Sequence, residues 1–118
     1  MKDNVILTKS IDFAVRIVRL CKYLRDEKSE YVLSKQLLRS GASIGANATE
    51  ANDAVSKGGF LNKMYIALKE CSETIYWLEL LFRTDYLSEI QYKSMYADCN
   101  ELRRILTSIT KSVRPYPR

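Results

Sequence analysis

The residues of this chain best placed to do chemistry are three glutamates and the arginine that could hold them. Glu70 and Glu73 are separated by one helical turn, and Arg39, Ser43, Asn47 and Glu50 follow spacings of 4, 4 and 3. At helical periodicity each set shares one stripe, Glu70 and Glu73 lying with Ile66, Trp77 and Leu81. A carboxylate flanked by large apolar groups needs a partner. Three kinds of chemistry fit. In the first, Arg39 and a lysine or hydroxyl satisfy Glu50, Glu70 and Glu73, within the chain or across a subunit contact. The second is a carboxylate metal site, which in helical bundles combines glutamates with Glu-x-x-His; this chain has Glu70-x-x-Glu73 and no histidine. The third is acid–base work by a glutamate pair, but no nucleophile, oxyanion donor or phosphate loop accompanies it. The structural role is the expected one, with no catalytic residue, no metal and no cofactor.

A second group of side chains is basic. Arg16, Arg19, Lys22 and Arg25 recur in the first third of the chain, and Arg103, Arg104, Lys111 and Arg114 near its end. Side by side they would form one basic surface, which is all that phosphate contacts require. The net charge is +5, with +3 in residues 1–59 and +2 in residues 60–118. That surplus suits either nucleic-acid attraction or ordinary solubility.

The elements that carry these residues are helices. The chain has 118 residues, 47% of them hydrophobic and 28% charged, which suits a single soluble domain spanning residues 1–118. Both prolines, Pro115 and Pro117, lie at the C-terminus, so nothing interrupts long helices before them. The first helix is expected from about Val5 to Glu27. Leu7, Ile11, Ala14, Val18 and Cys21 form one apolar stripe, and Phe13, Ile17, Leu20 and Leu24 another beside it. Lys28 to Glu30 turns the chain.

The second helix is expected from about Tyr31 to Val55, on the line Leu33, Leu37, Gly41, Ile44, Ala48, Ala51 and Val55. Each interior glycine costs roughly 1 kcal/mol against alanine, so another helix should lie close to Gly41 and Gly45. Ser56-Lys57-Gly58-Gly59 reads as the break to a third helix, Phe60 to Arg83; it lacks the phosphate-loop pattern. Thr84 to Leu87 is a turn, Ser88 an N-cap, and the fourth helix runs to about Arg114. Four helices joined by short turns give an all-α, antiparallel up-down-up-down four-helix bundle.

No apolar run approaches the ~20 residues of a membrane span, and the N-terminus lacks a secretory pattern. Cys21, Cys71 and Cys99 fall on apolar stripes as free thiols of a reducing compartment. A cytoplasmic protein is expected.

The segment Arg39-Ser40-Gly41-Ala42-Ser43-Ile44-Gly45-Ala46-Asn47-Ala48-Thr49-Glu50-Ala51, together with residues 60–74 from Phe60 to Thr74, resembles the four-helix-bundle family of 23S rRNA intervening-sequence proteins. That group includes the accessory variability determinant of diversity-generating retroelements. The matching positions are Arg39, Ser43, Ile44, Asn47, Glu50, Ala67 and Glu73. The chain departs from the pattern at Ala51, where glycine is usual, and at Glu70, where serine is common. The resemblance implies a bundle fold, assembly as a ring-shaped homopentamer, and basic relatives that bind RNA or DNA and associate with a reverse transcriptase. The function expected is therefore a non-catalytic, self-assembling bundle that binds nucleic acid through basic helix faces. The alternative is a structural or protein-interaction module without nucleic-acid activity of its own.

Overall fold

The apolar periodicities resolve into four long helices. The computed structural model describes residues 4–113: α1 is Val5–Lys28, α2 Leu33–Asn52, α3 Lys57–Arg83 and α4 Glu89–Ser112. Each neighbouring pair runs antiparallel, as cross-helix contacts show. Asn4 bonds Asn52 and the Cys21 thiol bonds the Ser34 carbonyl, so α2 descends as α1 climbs. Glu50 meets Lys63 and Arg39 meets Glu73 between α2 and α3. The Cys99 thiol points at the Cys71 carbonyl, and Phe82 stacks on Tyr92, between α3 and α4. Lys9–Glu101 and Arg16–Asp98 join α1 to α4 and close the circuit. The rod measures 50 × 23 × 22 Å.

The core is a column of Phe13, Ile17, Leu24, Leu37, Ile44, Met64, Leu78, Leu81, Leu102 and Leu106. Each such side chain contributes about 1.5–3 kcal/mol by leaving water. The α2 glycines do what their cost implied. A Cβ on Gly41 would stand 2.8 Å from Ile17 Cγ1, and one on Gly45 2.9 Å from Ser10 Oγ. α1 lies directly against them.

Three expectations need correction. On α1 the core takes the stripe of Phe13, Ile17 and Leu24, joined by Ile6, Ser10 and Cys21. Ile11 and Val18 stay 61% and 52% exposed. The apolar arc of α1 is wider than one bundle core can cover, and contact with α2 selects one edge. Second, Gly58-Gly59 is not the break. Both glycines lie in the first turn of α3, where the Ser56 hydroxyl caps the helix by accepting from Gly59 N–H at 3.0 Å. The chain turns at residues 53–56, so α2 ends at Asn52 and Val55 is fully exposed. Third, α4 ends at Ser112; Arg114 lies outside the described residues.

The caps at the other turns are local chemistry. Ser29 and Asp85 take the left-handed backbone, with φ of 54° and 69°. Ser88 and Gln91 form a reciprocal capping box at the start of α4. The Glu30 carboxylate, itself buried, accepts from the N–H groups of Val32, Leu33 and Ser34 at 3.1, 2.8 and 2.7 Å. It satisfies the orphan donors of α2 and sets negative charge against the positive end of that helix.

Candidate functional site

The first six residues singled out separate into two contacts between α2 and α3. Arg39, half exposed on α2, reaches across to α3. Its Nη2 binds Glu73 Oε2, and its Nη1 stands 3.5 Å from Glu70 Oε1. The Trp77 indole N–H donates to the same Glu73 oxygen at 3.0 Å. Glu73 is thus gripped by a guanidinium and an indole, a charge-assisted arrangement that fixes its rotamer. Glu70 Oε1 is buried and accepts no hydrogen bond among the described residues, so the guanidinium charge is its compensation. Glu50 belongs to a separate contact, pairing with Lys63 Nζ at 2.6 Å.

Ser43 and Asn47 join neither contact. Their side chains donate to the carbonyls of Ser40 and Ser43, along their own helix. A hydroxyl pair that spacing alone did not single out lies deeper: Thr74 Oγ1 bonds Ser40 Oγ at 3.0 Å, both buried between α2 and α3. All three glutamates of the cluster therefore have a cation of the same chain beside them.

The basic residues fall into two groups rather than one surface. Arg16 is engaged: its guanidinium bonds Asp98 at 2.6 Å and the Ser94 hydroxyl at 2.8 Å. Lys9 pairs with Glu101 at 3.2 Å. With Asp12, these four charged residues line a cleft of about 170 Å³ on the α1/α4 seam and form a neutralised belt. On one side of the belt Arg19, Lys22 and Arg25 are exposed and make no ion pair among the described residues. Arg19 borders a second cleft, of about 300 Å³, with Leu20, Tyr23, Gln91 and Met95. On the other side lie Arg103, Arg104 and Lys111. Arg103 donates to Asn100 at 2.6 Å, while Arg104 and Lys111 are exposed. Arg103 and Lys111 are eight and sixteen residues beyond Met95, about 12 and 24 Å along α4 at 1.5 Å per residue. Antiparallel packing sends the two basic segments to different ends of the rod.

The thiols are built for packing. Cys21, Cys71 and Cys99 are free and buried. Burial pushes the Cys21 thiol up to about 11, against a smaller opposing pull from Arg25. The Cys99 thiol is raised first by its hydrogen bond with Cys71 and then by burial. Protonated, enclosed thiols are poor nucleophiles.

Taken together, an antiparallel bundle with an Arg39–Glu73–Trp77 clamp and a basic segment towards each end defines a helical-bundle protein whose polar residues tie helices to each other. Its family follows from comparison. The model of the 23S rRNA-intervening sequence protein family matches residues 2–108, and the chain belongs to that family. It is similar to a crystal structure from Bacteroides thetaiotaomicron VPI-5482, described as a protein with unknown function from the S23 ribosomal protein family. The two are 55% identical with a TM-score of 0.89, over 90% of this chain and 98% of the other. Comparison with curated proteins gives no match. Among the described residues no helix is long and apolar enough to cross a membrane.

Proposed function

We propose that this protein is a non-catalytic, self-assembling bundle that binds RNA or DNA through the basic ends of α1 and α4. The observation that carries the proposal is the uneven use of its cations. Arg16, Lys9, Arg39 and Lys63 are held by acids, whereas Arg19, Lys22 and Arg25 line one end of α1 with no such partner among the described residues. Exposed cations not engaged in an ion pair are free to displace counterions from a phosphate backbone. The homopentameric ring implied by the family resemblance is the assembly proposed, in the cytoplasm, where three free thiols stay reduced. A reverse transcriptase is the partner protein that the same resemblance offers.

Filter binding of a mixed-sequence RNA at two salt concentrations tests the reading. If five or six cations engage, affinity for this single strand should fall about 10²-fold between 50 and 200 mM salt. Replacing Arg19, Lys22 and Arg25 by alanine together should flatten the salt slope by about two. Absence of salt-dependent binding at low ionic strength would overturn it.

A further inference from the structure

The two clefts on the α1/α4 seam differ in their chemistry. The smaller holds three acids, Asp12, Asp98 and Glu101. The larger, of about 300 Å³, is lined by Arg16, Arg19, Leu20, Tyr23, Gln91 and Met95, with two arginines and no acid. Met95 is buried and forms its floor. Leu20 and Tyr23 are half-buried and pack against the core, so both are held from behind where they border the cleft. Tyr76 and Tyr92 have Trp77 and Phe82 as ring neighbours, whereas Tyr23 has none among the described residues. The side-chain oxygen of Gln91 is committed to the α4 cap, where it accepts from Ser88 N–H at 2.8 Å. Its amide N–H groups are the donors left to the cleft. Arg16 is held by Asp98 and Ser94, which leaves exposed Arg19 as the cation of the mouth. On α1 the acids Asp12 and Asp26 are each seven residues from Arg19, about 10 Å along the helix.

We infer that this cleft takes one unpaired base of a single-stranded nucleic acid, with Tyr23 as its stacking platform and Arg19 on the adjoining phosphate. The inference rests on the nucleic-acid binding proposed above and specifies the strand form and one contact. A base is apolar on its two faces and carries hydrogen-bonding groups on its edge. The cleft divides in the same way. Leu20, Tyr23 and Met95 offer apolar and aromatic surface to the faces, and the Gln91 amide offers a donor to a carbonyl on the edge. The anion is met only at the mouth, by Arg19. A base inside a duplex cannot enter, because its neighbours cover both faces and its partner holds its edge; extracting it costs unstacking and unpairing. A single strand bears no such cost. Cations that follow the backbone, combined with an aromatic ring under a base, bind single strands of any sequence. Arg19, Lys22 and Arg25 read phosphates, which every strand presents, and Tyr23 adds a contact that only an unpaired base can make.

The test is filter binding of the full chain to two strands of equal length at about 50 mM salt: an unstructured mixed-sequence RNA and an abasic ribose–phosphate strand. Both carry the same phosphates, so the electrostatic contribution is shared. The abasic strand should bind about 10-fold more weakly, the size of one base–aromatic contact. Tyr23→Leu keeps apolar bulk against the core and should lower the RNA to the affinity of the abasic strand. Tyr23→Phe keeps the ring and should preserve the difference, and Arg19→Ala should weaken both strands alike. The comparison on the wild type needs no variant, so it decides the matter even if Tyr23→Leu does not fold. Equal affinity of the wild type for the two strands would overturn the cleft while nucleic-acid binding stands. A difference that survives in folded Tyr23→Leu would overturn it as well. If neither strand binds at low ionic strength, nucleic-acid binding and the cleft fall together.

Discussion

The smallest devices in this protein are single side chains that settle helix ends and helix pairs. Glu30 accepts three backbone N–H groups at the start of α2. Hydrogen bonds to a charged group contribute about 1.5–3 kcal/mol each in favourable settings, and loss of a cap costs about 1. Glu30→Ala should therefore destabilise the bundle by about 2 kcal/mol, measured as a lower urea midpoint with unchanged slope. An unchanged midpoint would mean that α2 begins without it. The buried Cys21 makes a pH prediction. Its thiol is raised to about 11 in the fold, above its ordinary value of 9.0, so the unfolded chain loses that proton first. Stability from this group is complete below pH 9 and declines as pH rises towards 11, by on the order of 2 kcal/mol. Thermal melts at pH 8 and pH 10.5 should differ for the wild type and differ less for Cys21→Ala.

At the scale of elements, the α1/α2 contact is the tightest test of packing. Gly41→Ala gains about 1 kcal/mol of helix propensity, but its methyl would meet three carbons of Ile17 at 2.8–3.0 Å. Ile17 is fully buried and has nowhere to go, so overpacking of about 1–3 kcal/mol dominates. Gly45→Ala meets the Ser10 hydroxyl, a smaller group, and should be close to neutral. The two urea midpoints should diverge, with Gly41→Ala the lower; equal midpoints would refute the close-contact account. Most of each element was legible from local pattern. The helical spacing Phe60, Met64, Ala67, Cys71, Thr74, Leu78 and Leu81 marks the buried line of α3, with only Phe60, in the first turn, left half-buried, and Ser88 caps α4 as its position implied. The Gly58-Gly59 pair misled because glycine marks both helix ends and first turns, and the hydroxyl of Ser56 decided between them.

For the whole molecule, the arrangement of charge matters more than its sum. A net charge of +5 on a 50-Å rod is modest, but the belt of Lys9, Arg16, Asp98 and Glu101 divides it into two poles. A short oligonucleotide should therefore engage one pole, and a longer one both. Binding measured against RNA length should step in affinity once the strand spans the belt, and alanine at Arg103, Arg104 and Lys111 should remove that step without abolishing binding of short strands. A smooth rise with length would place the phosphate contacts elsewhere.

By itself the sequence determined four helices, the buried line of α2 from Leu37 to Ala51, their antiparallel order and the need for partners beside Glu50, Glu70 and Glu73. These follow from periodicity, short turns and the cost of a bare buried charge, all of which are local. Only the tertiary structure decided which edge of α1 turns inward, which cation serves which glutamate, and that the basic segments part to opposite ends. Those outcomes depend on rotation of each helix about its own axis and on register between helices. Both are set by what a neighbour's surface admits: Ile17 and Ser10 find room over Gly41 and Gly45, and Ile11 and Val18 are left facing outward.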